Sequence, residues 1–395
     1  MKAFLAKKRQ YGYKNVVRLV PFFMLKGMKY RIYPNDKQVE LLDKTFGCCR
    51  KVWNLMLNDK IELYKTTKSF GKQTPAMYKK DYPYLKEVDS LALANVQLHL
   101  QSAFRNCFDK SRKKRLEFPK FKSRKRSKFS YTTNNQNGTI EIIDNTIRLP
   151  KLGFIKAKIH YLPADCIIKS ATVSKDCCDK YFVSILFENE VVINKVEPIK
   201  AVGLDYVSDG LFIDDKGNIG TNHKYFKEGQ KKLAKAQRKL ARKKGFKKNE
   251  TKSHNFYKQK LKVNKIYQHI SNQRLDNLHK LSFQIANDYD VVCVECLNMK
   301  AMSNKGFGNG KATLDNGYGM FLNFLEYKLK ERGKYFAKVD KFYPSSQICH
   351  RCGQLHPEMK DLSKRVFICN CGLIFNRDQN AALNIKKEGL RLLGL

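Results

Sequence analysis

The chain has 395 residues, 42% of them hydrophobic and 12% aromatic, enough for two or three domains with cores of their own. Its 78 Lys and Arg against 36 Asp and Glu leave a net charge of +42, a self-repelling surplus that calls for a polyanionic partner, nucleic acid before any other. No apolar run reaches the roughly 18 residues of a membrane span, and no basic amphipathic stretch ends the chain as an anchor, so a membrane partner is not expected.

The first 27 residues place "KKRQYGYK" before "VVRLVPFFML". Arg18 and Pro21 break the apolar core and no small-residue cleavage site follows, so the stretch does not read as a signal peptide. A reducing, cytoplasmic compartment is therefore expected. In that setting the twelve cysteines are buried thiols or metal ligands, not disulfides. Cys48, Cys49, Cys107, Cys166, Cys177 and Cys178 lack metal-like spacing and read as core.

After "MKYRIYPND", Val39, Leu42, Phe46, Cys49, Trp53 and Met56 recur at three and four, with Pro34-Asn35-Asp36 as a helix start. A second helix follows Ser90, with Leu93, Val96, Leu100, Phe104 and Cys107 on one stripe. Residues 110–128 then hold eleven Lys/Arg and one acid. Such a run is commonly a solvated face, but Phe118, Phe121, Phe129 and Tyr131 interleave with it, which suits a surface that meets phosphates and stacks on bases. From 139 to 188 short alternations such as "TIEIIDNTIRL" and "YFVSILFE" predict a small β-barrel.

"AVGLDYVSDGLFIDDKGNIG" predicts two strands joined by turns, with "DDKGN" as the hairpin signal. A long helical stretch follows, in which residues 224–265 carry seventeen Lys/Arg and two acids. "YDVVCVECLNM" reads as a buried strand. A glycine-rich loop (305–319), the helix "GMFLNFLEYKLKERG" and the strand "YFAKVD" complete an α/β alternation, which a "CHRCG…CNCG" segment interrupts before the last helix.

Cys349-x-x-Cys352 and Cys369-x-Cys371 are separated by sixteen residues, and each pair is followed by Gly, which lets backbone N–H groups turn toward the sulfurs. Four thiolates so spaced suit a closed tetrahedral Zn²⁺ site, structural and not catalytic, in a ribbon whose metal replaces a core. His350 and His356 are fallback ligands. Cys293-x-x-Cys296 has similar spacing but sits in an apolar strand that sends the two sulfurs to opposite faces, so no metal knuckle is expected there.

Acids within apolar strands are costly and need partners. Asp205 in "AVGLDY" and Glu295 in "VVCVECL" are two, and Glu295 shares a face with Val291 and Cys293. Each could be a strand-end acid satisfied by Lys, and Asp378, opening the last helix, could be an N-cap. Taken together, the three are a set of hard oxygen ligands able to hold two Mg²⁺ ions about 4 Å apart for phosphodiester hydrolysis. Asp209, Asp215 and Asp340 are further candidates, Asp215 being explained by hairpin-turn chemistry.

"VGLD", "VVCVECLNM", "SSQICHRCG", "CNCG" and "NRDQNAALNI", in this order, together with "YRIYPNDKQ" and "EFPKFKSRK" upstream, resemble the TnpB (OrfB-type) transposon-encoded nucleases, relatives of the compact type V CRISPR effectors. The resemblance spans roughly residues 24–390 and makes Met24 a natural family start. It departs at "YVSDG" after Asp205, where many relatives have a shorter glycine-bearing turn. It implies a multidomain α+β protein: an N-terminal extension (1–23), a WED-like β-barrel (24–33 and 117–197), a helical recognition domain (34–116), a RuvC, RNase H-like nuclease domain (198–345 and 372–395) and an inserted zinc ribbon (346–371). By resemblance Asp205, Glu295 and Asp378 are the catalytic residues and Mg²⁺ ligands, Mn²⁺ being the alternative ion, and Cys349, Cys352, Cys369 and Cys371 bind Zn²⁺.

The implied activity is RNA-guided cleavage of double-stranded DNA beside a short adjacent motif. A guide RNA would lie on Lys and Arg of 110–128 and 224–265, and the segment "NKGFGNGKATLDNGYG" would be a lid over the acids. The protein is expected to be a monomer in the bacterial or archaeal cytoplasm, at the nucleoid. A guide-dependent repressor without cleavage, a type V CRISPR effector and a guide-free zinc-ribbon DNA-binding protein are the alternatives.

Overall fold

The computed structural model describes residues 22–109, 111, 116–191, 193–221, 223–243, 252–304, 310–361 and 363–395. Residues 1–21 of the N-terminal extension, 110 and 112–115 of the first basic run, 244–251 of the second and 305–309 of the glycine-rich loop lie outside them. The chain forms two compact units, one of Val20–Val192 and one that includes Ile193–Leu395.

The first unit joins strand β1 (Phe22–Tyr33), helices α1 (Asp36–Thr67) and α2 (Ser90–Phe108), and strands β2 (Phe129–Asn134), β3 (Glu141–Ile143), β4 (Thr146–Leu149), β5 (Gly153–Lys158), β6 (Cys166–Lys175) and β7 (Tyr181–Val191). Asn35 starts α1 through a capping box with Gln38, each side chain accepting from the other's backbone N–H. The predicted apolar stripes are the ones buried: Leu42, Phe46, Cys49, Trp53 and Met56 on α1, and Leu93, Val96, Leu100 and Phe104 on α2. In β7 the alternation holds strictly at Tyr181, Val183, Ile185 and Phe187, all buried.

The strands make one antiparallel sheet in the order β2-β6-β7-β1-β5-β4-β3. The early strand β1 runs centrally, paired with β7 along Phe22–Ile32 and with β5 at Arg31–Tyr33. No pairing joins the end strands β2 and β3 among the described residues, so the sheet is open where the sequence predicts a barrel. Strand β2 lies against α2, which covers that edge, and β3 has only three residues with which to pair.

The aromatics of the first basic run divide. Tyr131 is core, whereas Phe118 and Phe121 are exposed. The segment around them is pinned to α1: Asn54 exchanges hydrogen bonds with the Lys122 backbone at 2.8 Å, and Trp53 Nε1 donates to the Lys120 carbonyl at 3.1 Å.

The second unit holds β8 (Ala201–Asp205), β9 (Phe212–Asp214), β10 (Ile219–Gly220), α3 (Tyr225–Arg242), α4 (His254–Asp288), β11 (Val291–Glu295), α5 (Met299–Met302), α6 (Gly310–Asn316), α7 (Tyr318–Glu331), β12 (Tyr335–Val339), β13 (Val366–Ile368), β14 (Ile374–Asn376) and α8 (Arg377–Leu393). The helical stretch predicted over 224–265 is two helices. Ser253 opens the second by accepting from Phe256 N–H, and α4 then runs on to Asp288.

Its sheet has the order β10-β9-β8-β11-β12, with β8, β11 and β12 mutually parallel. Strand alternation divides the core. Val202, Leu204, Val292 and Val294 face α4 and α7, where Leu278, Ile285, Phe321 and Leu325 complete one cluster. Val291, Cys293 and Ala337 face α8 and pack with Ile385. Cys293 is buried and Cys296 exposed.

Helix α8 sits close on this sheet because glycine allows it. A Cβ on Gly203 would lie 2.0 Å from the Ala382 carbonyl oxygen and 2.8 Å from Lys386 N, both backbone atoms that cannot swing away. Gly203→Ala is expected to destabilise the second unit by about 2–3 kcal/mol, the upper part of the overpacking range. Chemical denaturation checks it, and unchanged stability would mean that α8 is not seated on β8.

Candidate active site

The geometry of the three acids follows from strand pairing. Strands β8 and β11 pair in parallel with Leu204 opposite Val294. Asp205 and Glu295 are thus the next residues on neighbouring strands about 4.8 Å apart. By the period of two, Asp205 shares the face of Gly203 and Glu295 that of Cys293, the face on which α8 lies. Asp378 is the second residue of α8. Asn376 caps that helix by accepting from Asp378 N–H and Gln379 N–H, each at 3.0 Å, so the cap is Asn376 and the Asp378 carboxylate is left for other work.

All three acids line one cavity of about 1220 Å³. Burial pushes the Asp205 carboxyl well above the usual range, and the charges of Glu295 and Asp378 push it the same way. Burial alone raises Glu295 to about 7. The Asp378 carboxylate is 3.4 Å from Arg365 Nη1. Mutual crowding within one-ion reach, 4.8 Å between every pair of ligand atoms, is found among the described residues only for the four cysteines. The three acids share a cavity without crowding to that degree.

The other candidate acids separate. Asp209 is 98% exposed at its side chain and pairs with Lys224. Asp340 turns the chain by accepting from Phe342 N–H. The hairpin turn belongs to Asp214, which accepts from Lys216 N–H and Asn218 N–H. Asp215 instead forms a buried ion pair with Lys386 of α8 at 2.8 Å and accepts from Gly203 N–H. Its role is to seat α8, a pairing across 171 residues that local sequence does not reveal.

The cysteines form the second part of the site. Cys349 and Cys371 have sulfurs 3.7 Å apart, Cys352 and Cys369 3.5 Å. A tetrahedral zinc with bonds of about 2.3 Å requires sulfurs about 3.8 Å apart, so the four fit the ion. Gly353 and Gly372 take the left-handed φ values of 80° and 84° that the two knuckle turns require. Burial opposes ionisation of Cys349, but N–H groups of Cys352 and Arg351 and the neighbouring thiols outweigh it and bring the thiol down to about 7. Around the sulfurs the core among the described residues is Cys349, Met359, Phe367 and Cys369, with half-buried Leu373 packed against them. His356 Nε2 lies 3.2 Å from Cys369 Sγ, while His350 Nδ1 turns away to Asn380 Oδ1 at 2.8 Å.

That last contact belongs to a tie that sequence reasoning missed. Asn380 and Asn384, both buried on α8, donate to the Ile348 carbonyl at 2.7 and 2.6 Å, and Asn384 also donates to that of Ser345. Arg377 N–H donates to the Arg365 carbonyl. The knuckle next to Cys349 is thereby fastened to the helix that carries Asp378. Only the i, i+4 spacing of two asparagines among the small and apolar residues of that helix signals it. Tyr318 was also missed: its hydroxyl is buried without a hydrogen-bond partner, close enough to Asp205 and Glu295 to be perturbed by them.

Residues 310–316 of the expected lid form α6, which is anchored. Asp315 accepts from Phe226 N–H at the start of α3 and pairs with Arg274. Asn316 donates to the Tyr206 hydroxyl and the Ser208 carbonyl, just beyond Asp205.

Comparison with known proteins agrees with this architecture. The chain matches the families described as "Helix-turn-helix domain" (OrfB of IS605 type) over residues 24–69, "Probable transposase" (OrfB of IS605 type) over 184–305 and "Cas12f1-like, TNB domain" over 318–385. Residues 24–69 here hold one strand and one long helix. The chain is 32% identical to a Streptomyces pristinaespiralis protein named "Putative RNA-guided DNA endonuclease", covering 92% of this chain and 89% of that one. It is 29% identical to "Putative RNA-guided DNA endonuclease InsQ" of Escherichia coli K12, covering 93% of each. Its fold is similar to the Cas12f1 chain in a cryo-EM structure of the Cas12f1-sgRNA-target DNA complex, with a TM-score of 0.57 over 92% of this chain and 99% of that one at 15% identity. Sequence identity sustained across nearly the whole length of both chains shows that the protein belongs to the TnpB (OrfB-type) family of transposon-encoded nucleases, relatives of the type V effectors.

Proposed function

We propose that the protein is an RNA-guided DNA endonuclease of transposon origin that cuts target DNA beside a short adjacent motif by two-metal phosphodiester hydrolysis. The observation that carries this is the convergence of Asp205, Glu295 and Asp378, from β8, β11 and α8, on one cavity. The four-cysteine cluster would hold structural Zn²⁺ and the acids Mg²⁺ or Mn²⁺. Bound there, the divalent ions would supply an activated water and neutralise the leaving oxygen.

The chain's own residues do the positioning. Asp205 and Glu295 are fixed by the parallel register of their strands. Asp378 is fixed by the Asn376 cap, by the close seat of α8 and by the Asn380 and Asn384 bonds to the knuckle. On this reading 198–345 with 372–395 is a RuvC-like domain, and 346–371 is its inserted zinc ribbon. The β-sheet unit, 24–33 with 117–197, is WED-like, and 34–116 is the recognition domain. Helix α3, with seven Lys and Arg among its 18 residues, and the basic segment beside α1 offer the phosphate contacts for a guide RNA.

Expression with the flanking locus, sequencing of the RNA that co-purifies, and Mg²⁺-dependent cleavage of a duplex matched to that RNA test the reading. Specific bound RNA and a metal-dependent cut are expected. Absence of bound RNA would overturn the guided reading. RNA-directed binding without a cut would make the protein a guide-dependent DNA-binding repressor.

A further inference from the structure

Arg377, the first residue of α8, is 5% exposed, and its backbone N–H is used by the Arg365 carbonyl. Arg377 lines the same cavity as Asp205, Glu295 and Asp378, and its buried Nε and Nη1 have no hydrogen-bond partner among the described residues. A buried guanidinium with idle donors is costly, and proteins satisfy such groups unless something from outside does so. Its charge is felt by Asp205 on one side and Asp361 on the other, but neither idle nitrogen is bonded to a carboxylate. A guanidinium is a favoured donor to phosphate oxygens. Lys341, Lys360 and Arg365 line the same cavity, so cationic and acidic side chains share it.

We propose that Arg377 is a phosphate-holding residue, its guanidinium donating to a non-bridging oxygen of a phosphate in the DNA strand that lies against the three acids. This rests on the nuclease reading. Cations at the acids would take up the negative charge that now offsets the guanidinium, leaving the phosphate as its counter-charge. Arg377 would then fix where along the strand the acids act, since a held phosphate sets the distance from the ions to the bond that breaks.

The test uses the full chain purified with its own RNA and a target matched to that RNA. R377Q is expected to cut about 10²-fold more slowly in single turnover, the loss of one well-placed donor group, with target affinity unchanged because base pairing carries it. Methylphosphonates, which replace one charged phosphate oxygen at a time near the cut, supply a readout that a merely structural role would not move. One position should slow the wild type strongly and slow R377Q by no more than about twofold further, the mark of a shared contact. R377K, which keeps the charge without the guanidinium, should lose less and show the same position; it carries the scan if R377Q fails to retain zinc. R377Q cutting at the wild-type rate, or every methylphosphonate slowing variant and wild type equally, would overturn the assignment. A wild type that never cuts the matched target would overturn the nuclease reading instead.

Discussion

Asp205→Ala is expected to lower cleavage of a matched target by about 10³-fold or more, with target binding unchanged. The magnitude follows from the several kcal/mol of transition-state stabilisation that divalent ions supply, at 1.36 kcal/mol per tenfold. Asp205 is the acid most perturbed by its neighbours, because the other two carboxylates act on it together with burial. Removing it takes away ligand atoms, so the ions would bind elsewhere or not at all. Glu295→Gln should cost nearly as much, and the double variant little more than either, since residues that act as a unit are not additive. Single-turnover cleavage and filter binding on the same complex separate chemistry from recognition. Loss of binding in step with cutting would mean that Asp205 supports the fold and not the reaction.

Cys369→Ser is expected to abolish stoichiometric zinc, destabilise residues 345–376 and lower cleavage by at least tenfold. The knuckle has a core of four side chains, two of them cysteines, so its folding free energy is largely that of metal binding, on the order of 10 kcal/mol in small zinc modules. Its loss would release the carbonyls of Ser345 and Ile348 that anchor Asn380 and Asn384, and with them the start of α8. Displacement of a catalytic carboxylate by about 1 Å can cost 10²-fold. Cys296→Ser, at an exposed thiol outside the cluster, should change neither zinc content nor cleavage. Undiminished metal-dependent cutting by zinc-free Cys369→Ser protein would break the link between knuckle and acid.

This link accounts for the shortness of the seven-residue step from Cys371 to Asp378. Strand β14 pairs with β13, and its last residue, Asn376, is already the cap of α8. The zinc module and the acid share one continuous backbone with no linker in which disorder could accumulate.

The sequence showed what local periodicity controls. The α1 and α2 stripes, the alternation in β7 and the burial of Cys293 but not Cys296 need only the periods of helix and strand. Asp205 and Glu295 stood out because a carboxylate within "AVGLD" or "VVCVE" breaks an apolar run, and Asp378 was singled out only in conjunction with them. What escaped depends on contacts between distant segments. The Asp215–Lys386 pair, the Asn380 and Asn384 ties and the idle donors of Arg377 join residues whose neighbours in sequence say nothing about them. The need for glycine at 203 arises from a helix almost 180 residues later. Asp214 and Asp215 illustrate the division. Either could have made the hairpin turn by local chemistry, and only the position of α8 decides that Asp215 turns inward.

The central claim, that Asp205, Glu295 and Asp378 together bind divalent cations, is tested most directly by locating those cations. The RNA complex with target DNA, prepared with Mn²⁺ and crystallised, is predicted to show two anomalous peaks about 4 Å apart, with carboxylate oxygens of all three residues coordinating them. Manganese bound elsewhere, or a cavity that stays free of metal while the complex still cuts, would contradict the account.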